Sequence, residues 1–202
     1  MIVAVSKQQP ATSIAEAYAA GQRHFGENYL QEALAKIEQL PEPGLCWHFI
    51  GPLQSNKTRP VAEHFDWVHT VDRERIARRL DAQRPHYAKP LNVLIQLNLD
   101  AEPRKSGVSA AEVPGLAALI ASLPRLALRG LMTIPPAANS EADNRRHFLA
   151  VAALAEELRG RGLALDTLSM GMSGDFETAI ECGSNCVRVG TAIFGARPGV
   201  TA

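Results

Sequence analysis

One amine and two small-residue loops stand out as groups that could do chemistry. Ser6-Lys7 ends a short apolar run, Ile2-Val-Ala-Val-Ser6. A lysine at a strand end is either a solvated charge or, with its pKa lowered, the amine of Schiff-base chemistry. Gly171-Met-Ser-Gly-Asp175 and Val189-Gly-Thr-Ala192 follow apolar runs near the other end of the chain. Small residues and hydroxyls let backbone N–H groups approach a phosphate at a helix N-terminus, and the same residues also make ordinary turns. Neither segment leads into Gly-Lys-Ser/Thr or fits G-x-G-x-x-G, which excludes a P-loop and a dinucleotide fingerprint. Arg188, between Val187 and Val189, puts a charge inside an apolar strand. Such a charge is costly unless it is paired. It is either half of a structural ion pair or a group facing the ring nitrogen of a cofactor, a partner known for pyridoxal 5′-phosphate (PLP).

The elements that must position these residues alternate. Strands are expected at Ile2 to Ser6, His24 to Glu27, Cys46 to Ile50, Trp67 to Val71, Leu91 to Leu99, Leu126 to Ile134, Thr167 to Gly171 and Cys186 to Gly190. Runs such as Val93-Leu94-Ile95 suit parallel strands covered on both faces. Helical spacing fills the gaps: Leu30, Ala33, Leu34 and Ile37 recur on one face, as do Ile76, Ala77 and Leu80. Ser13, Asp72, Ser140 and Asp175 stand where N-caps are expected, Ser109 with Glu112 fits a capping box, and Gly183 could end the helix that Asp175 opens. Lys57 to Phe65 is a weaker helix, since Pro60 must sit near its start. Eight strands with helical crossovers predict a single (β/α)₈ TIM-type barrel over residues 1–202, with an open doubly wound sheet as the alternative. In such a barrel the active site lies where strands end. Those positions are Lys7, Asn28, Gly51, Thr70, Asn98, Thr133, Met172 with Ser173, and Gly190 with Thr191. Seven crossovers leave the seam between the last and first strands without a cover. Exposed apolar surface, an oligomer contact or an N-terminally truncated chain is expected there.

Composition narrows the class. The 202 residues are 46% hydrophobic and 21% charged, as in ordinary soluble proteins. The formal net charge is zero, which argues against nucleic-acid binding through bulk charge. No apolar run is long enough to span a membrane. The N-terminus lacks a signal peptide's basic region and long apolar core, so a cytoplasmic location is expected. Three cysteines cannot form a disulfide framework, and Cys182 and Cys186 lack a zinc-knuckle spacing. His48 reads as a core histidine, and His64, His69 and His86 show no metal-ligand pattern. Arg73, Arg75, Arg78 and Arg79 read as a solvated helix face.

The segments Ala4-Val-Ser-Lys7, Phe25-Gly-Glu-Asn28, Trp47-His-Phe-Ile-Gly-Pro-Leu-Gln-Ser-Asn-Lys57, Lys105-Ser-Gly107, Arg129-Gly-Leu-Met132, Leu168-Ser-Met-Gly-Met-Ser173 and Val187-Arg-Val-Gly-Thr-Ala-Ile-Phe-Gly195 run from end to end. Together they closely resemble the pyridoxal phosphate homeostasis protein family, which shares the barrel of the alanine racemase N-terminal domain. The resemblance implies PLP as cofactor, Lys7 as its Schiff-base lysine, Asn28 and Ile50 as ring contacts, and Arg188 near the pyridine nitrogen. It also implies Met172, Ser173, Gly190 and Thr191 as the phosphate cup. Two features depart from the family. Gln9 stands where a second lysine is usual, and, with Met1 directly on the first strand, the helix that usually precedes it is expected to be missing. The implied role is a monomer or weak dimer that buffers PLP or delivers it to PLP-dependent apo-enzymes, without established turnover. An amino-acid racemase is the rival reading. It needs a second base, yet Tyr18, Tyr29 and Tyr87 all lie in the first half of the chain, and none falls at a predicted strand end.

Overall fold

The computed structural model describes residues 1–99, 106–136 and 138–195. Eight parallel strands appear in the predicted order: β1 (Ile2–Val5), β2 (His24–Glu27), β3 (Cys46–Phe49), β4 (Trp67–Val71), β5 (Leu91–Leu97), β6 (Leu126–Thr133), β7 (Thr167–Ser169) and β8 (Val187–Val189). Between them run α1 (Ala11–Ala19), α2 (Leu30–Gln39), α3 (Thr58–His64), α4 (Glu74–Gln83), α5 (Val113–Ala121), α6 (Glu141–Gly160) and α7 (Phe176–Glu181), with a short α8 (Thr191–Phe194) after β8. The ladder runs β7-β6-β5-β4-β3-β2-β1-β8. A bridge between Ser169 and Cys186 joins its two ends. Cys186 N donates to Leu168 O and Met170 N to Cys186 O, both at 3.2 Å. The sheet is therefore the closed barrel, and the open-sheet alternative is excluded.

Several expected strand ends extend past the assigned ones because hydrogen bonding continues into the βα turns. Ser6 N still donates to Gly26 O, and Ile50 N to Glu27 O. The helix starts are corrected in three places. Pro10, not Ser13, is the N-cap of α1, and Arg73, not Asp72, that of α4. Glu112 itself caps α5, so its carboxylate accepts from Ser109 N and Oγ in the turn ahead of the helix. The expected cap at Ser140 is present as a capping box with Asp143, and Asp175 opens α7. Pro60 falls in the first turn of α3, where a missing N–H has no intrahelical partner to lose.

The main core lies between sheet and helices. Phe25, Phe65, Phe148, Ile14, Ile76, Leu80 and Ile120 are fully buried there. A smaller cluster of Trp67, Leu94 and Met132 is separate from it. In β6 the register slips by one residue opposite Val93 and Leu94. Gly130 follows the slip at φ +154°, and a Cβ there would lie 1.8 Å from Thr167 O. Only glycine allows β6 and β7 to approach so closely.

At the seam, Ile2 and Ile193 are 52% and 42% exposed. They share a groove with Ala17, Ala20 and Phe194. The expected apolar surface is thus present. Among the described residues no helix is long and apolar enough to cross a membrane.

Candidate functional site

One cavity of about 290 Å³ gathers all eight residues singled out as cofactor contacts: Lys7, Asn28, Ile50, Met172, Ser173, Arg188, Gly190 and Thr191. It sits at the C-terminal ends of the strands, where this fold places its sites. Val5, Gln9, Ile134, Gly174 and Gly195 complete its wall. Gln9 carried a signal in the sequence as a departure from the family, and it is buried facing this cavity. Gly51, Thr70 and Thr133, also expected at the strand ends, support the wall from behind. Thr70 Oγ1 donates to Gly51 O at 2.7 Å, and Thr133 O receives Arg188.

The β1 end is held by buried charge. Lys36 Nζ donates to Ser6 O at 2.7 Å, to Glu27 Oε1 at 2.8 Å and to Glu32 Oε1 at 2.6 Å. Ser6 Oγ donates to Glu27 Oε1, and Gln8 N to Glu32 Oε1, each at 2.6 Å. The turn after Lys7 thus passes through Gln8 at φ 62° and is tied to α2 on both sides. Burial pushes the Glu27 carboxyl up, while Lys36 and Ser6 pull it back. Lys36 was not singled out from the sequence. Its signal was a lysine three residues after Ala33, on the buried face of α2.

The β2 and β3 ends meet at Gly51, where a Cβ would stand 2.1 Å from Asn28 O. Asn28 Oδ1 is buried and has no hydrogen-bond partner among the described residues. After β7, Met172 N donates to Asp175 Oδ1 at 2.6 Å and Asp175 N returns a bond to Met172 O at 3.0 Å. This closed turn presents Ser173 and Gly174 to the cavity. Arg188 N donates to Gly171 O, which ties β8 to the same turn.

Arg188 is 4% exposed. Its guanidinium donates to Ser169 O at 2.7 Å, Ser169 Oγ at 2.8 Å and Thr133 O at 2.9 Å. Among the described residues it is held by carbonyls and a hydroxyl, and no carboxylate lies within ion-pair distance of it. From Ser169 a chain of contacts crosses the barrel interior. His69 Nδ1 lies 2.8 Å from Ser169 Oγ, His69 Nε2 2.9 Å from His48 Nδ1, and His48 Nε2 3.0 Å from His24 Nδ1. Burial holds the pKa of His48 and His69 well below the usual imidazole value, so both are neutral donors and acceptors. His48 is buried and hydrogen-bonded inside the barrel, and His69 joins it there.

A barrel with an amine, a buried guanidinium and hydroxyl-bearing loops around one mouth is the class of a phosphate-ligand site built on a TIM-type scaffold. The family model for the alanine racemase N-terminal domain matches residues 1–198. The pyridoxal phosphate homeostasis protein of Escherichia coli K12 is 57% identical over 202 residues, covering 97% of this chain and 85% of its own length. That of Vibrio alginolyticus is 56% identical over 200 residues, covering 97% and 86%. PipY of Synechococcus elongatus, solved with PLP bound, is 42% identical with a TM-score of 0.87, over 96% of this chain and 92% of that one. Its PLP-free structure superposes with a TM-score of 0.92 over the same shares. The chain belongs to the pyridoxal phosphate homeostasis protein family, on the barrel of the alanine racemase N-terminal domain.

Replacing Lys36 by Met should destabilise the fold by roughly 3–5 kcal/mol, because it strands the buried Glu27 without its cation. Adding Glu27→Gln should recover part of that loss. Urea unfolding of the single and double variants checks both.

Proposed function

We propose that the protein binds PLP in the strand-end cavity, anchored through Lys7, and holds it for exchange rather than for turnover. The observation that carries this reading is the convergence on one cavity of Lys7, the buried Arg188, the Ser173 and Thr191 loops, and Asn28, whose Oδ1 has no partner among the described residues. The residues fit the group. PLP, when bound, supplies an aldehyde that condenses with a primary amine, and Lys7 is the amine lining this cavity. Ser173, Gly174, Gly190 and Thr191 would hold the phosphate through hydroxyls and backbone N–H groups. Asn28 and Ile50 would flank the ring, with Met172 beside the phosphate loop. Arg188 would face the ring nitrogen. It is clamped by two carbonyls and a hydroxyl, so it offers that nitrogen a donor and no proton acceptor.

That last feature favours a carrier. An arginine at the ring nitrogen keeps it unprotonated, which weakens the ring as an electron sink. No tyrosine lines the described cavity, so the second base of a two-base racemase is not in place among the described residues. The names of the relatives and the PLP-bound PipY support the ligand. Delivery to PLP-dependent apo-enzymes and a cytoplasmic location, in keeping with three free cysteines, belong to the same reading.

Titration with PLP should raise a yellow absorption band in the wild-type protein that Lys7→Ala lacks. A band of equal strength in the variant would overturn the anchor. Pyridoxal without its phosphate should bind far more weakly than PLP, and equal affinities would refute the phosphate role of Ser173 and Thr191. The holo-protein incubated with L-alanine should leave its configuration intact. Conversion at ordinary enzyme rates, around 1 to 10³ per second, would replace the carrier reading with a racemase.

A further inference from the structure

The N-terminal end of the barrel, opposite the cavity, carries a second constellation. His24 and Cys46 are the first residues of β2 and β3 and are register partners in the ladder. His48 is two residues beyond Cys46, so its side chain leaves β3 on the same face. His24 Nδ1, Cys46 Sγ and His48 Nε2 all lie within 4.8 Å of one another. His48 Nε2 is 3.0 Å from His24 Nδ1 and 3.5 Å from Cys46 Sγ. We propose that these three atoms bind a zinc-class divalent cation at the floor of the barrel.

The distances suit the ion. Zinc–nitrogen bonds of about 2.0–2.1 Å and zinc–sulfur bonds of about 2.3 Å make tetrahedral edges of about 3.3 Å for N···N and about 3.6 Å for N···S. The two separations from His48 Nε2 differ from these by a few tenths of an ångström, and His24 Nδ1 and Cys46 Sγ lie within 4.8 Å of each other. One thiolate with two imidazoles is a donor set for zinc or copper rather than for magnesium or calcium. The support behind the ligands is also in place. With Nε2 on the ion, His48 donates its Nδ1–H to His69 Nε2, and His69 in turn donates to Ser169 Oγ. A ligating imidazole commonly fixes its second nitrogen in this way. Trp67 stacks on the His48 ring at 5.4 Å and 13°, which holds the imidazole plane.

Electrostatics and access agree. Asp66 is close enough for its charge to act on both His24 and Cys46, and a cation gains from it, while the N-terminal ammonium opposes it near His24. A ligating thiol is a thiolate, so the ion takes the place of the Cys46 thiol proton. One proton is released on binding, and His24 and His48 need only shift their remaining protons to Nε2 and Nδ1. His24 and Cys46 are half-buried, which leaves a route in and a fourth position for solvent. A Cys-x-His pair on one strand with a histidine on the next has no linear spacing signature, so the sequence does not show this cluster.

Cobalt(II) titration of chelator-treated full-length protein tests the site. One equivalent should produce a near-ultraviolet thiolate-to-cobalt band, and zinc should bleach it. Cys46→Ser should abolish the band. His24→Gln should weaken binding by about a hundredfold or more, since losing even an outer partner of a ligand costs about 10–100-fold. Lys7→Ala should leave the titration unchanged, which separates this site from the cofactor cavity. No cobalt binding at micromolar protein, or a band that survives Cys46→Ser and so belongs to Cys182 or Cys186, would overturn the proposal.

Discussion

A guanidinium inside a barrel wall must take its hydrogen bonds from the wall itself, and Arg188 sets the terms for the rest of this structure. Its charge has lost most of its water, so acceptors from other strands must offset that cost. They come from Ser169 at the end of β7 and Thr133 at the end of β6. Those strands stand beside the point of closure, where β7 and β8 meet through one bridge and a few backbone bonds. The same side chain therefore helps to close the barrel and lines its mouth. Among the described residues, carbonyls and a hydroxyl rather than a carboxylate hold it.

The two ends of the barrel are built differently around this residue. At the C-terminal mouth, backbone turns and hydroxyls surround a cavity, and the Lys36–Glu27–Ser6 network stiffens the strand end that bears Lys7. At the N-terminal floor, aromatic and soft donors crowd together: Trp67, His48, His24 and Cys46. Between them, the interior is spanned by neutral imidazoles rather than filled only by branched aliphatic side chains. Neutral imidazoles can do this because each can donate from one nitrogen and accept at the other. A buried polar chain of this kind is tolerable only when every member is satisfied, and here each nitrogen facing inward has a partner.

Much of the fold was legible in the chain. Runs such as Val93-Leu94-Ile95 are buried on both sides, as a parallel strand requires, and the amphipathic spacing of Ile76, Ala77 and Leu80 gives the buried face of α4. Helix starts were less legible. Ser13 and Asp72 have the right chemistry for caps, but Pro10 and Arg73 hold those places because the preceding turns decide where the chain first becomes helical. Lys7, Asn28, Met172, Ser173, Gly190 and Thr191 could be listed together because strand ends in this fold share one face, whereas Ile50 came from the family resemblance and Arg188 from its charge inside an apolar strand.

What the sequence by itself determined is periodic or positional: eight strands, their crossovers, and the amine, guanidinium and hydroxyls that belong to their ends. These follow from side-chain alternation and from the one-dimensional order of the chain. Only the tertiary structure decided that the sheet closes, that Lys36 reaches under the Lys7 turn, and that His24, His48, His69 and Ser169 form one path to Arg188. Each of these depends on the register between strands and on the direction of individual side chains. Residues 100 positions apart, such as His69 and Ser169, become hydrogen-bond partners only when the barrel closes, and no local pattern encodes that distance.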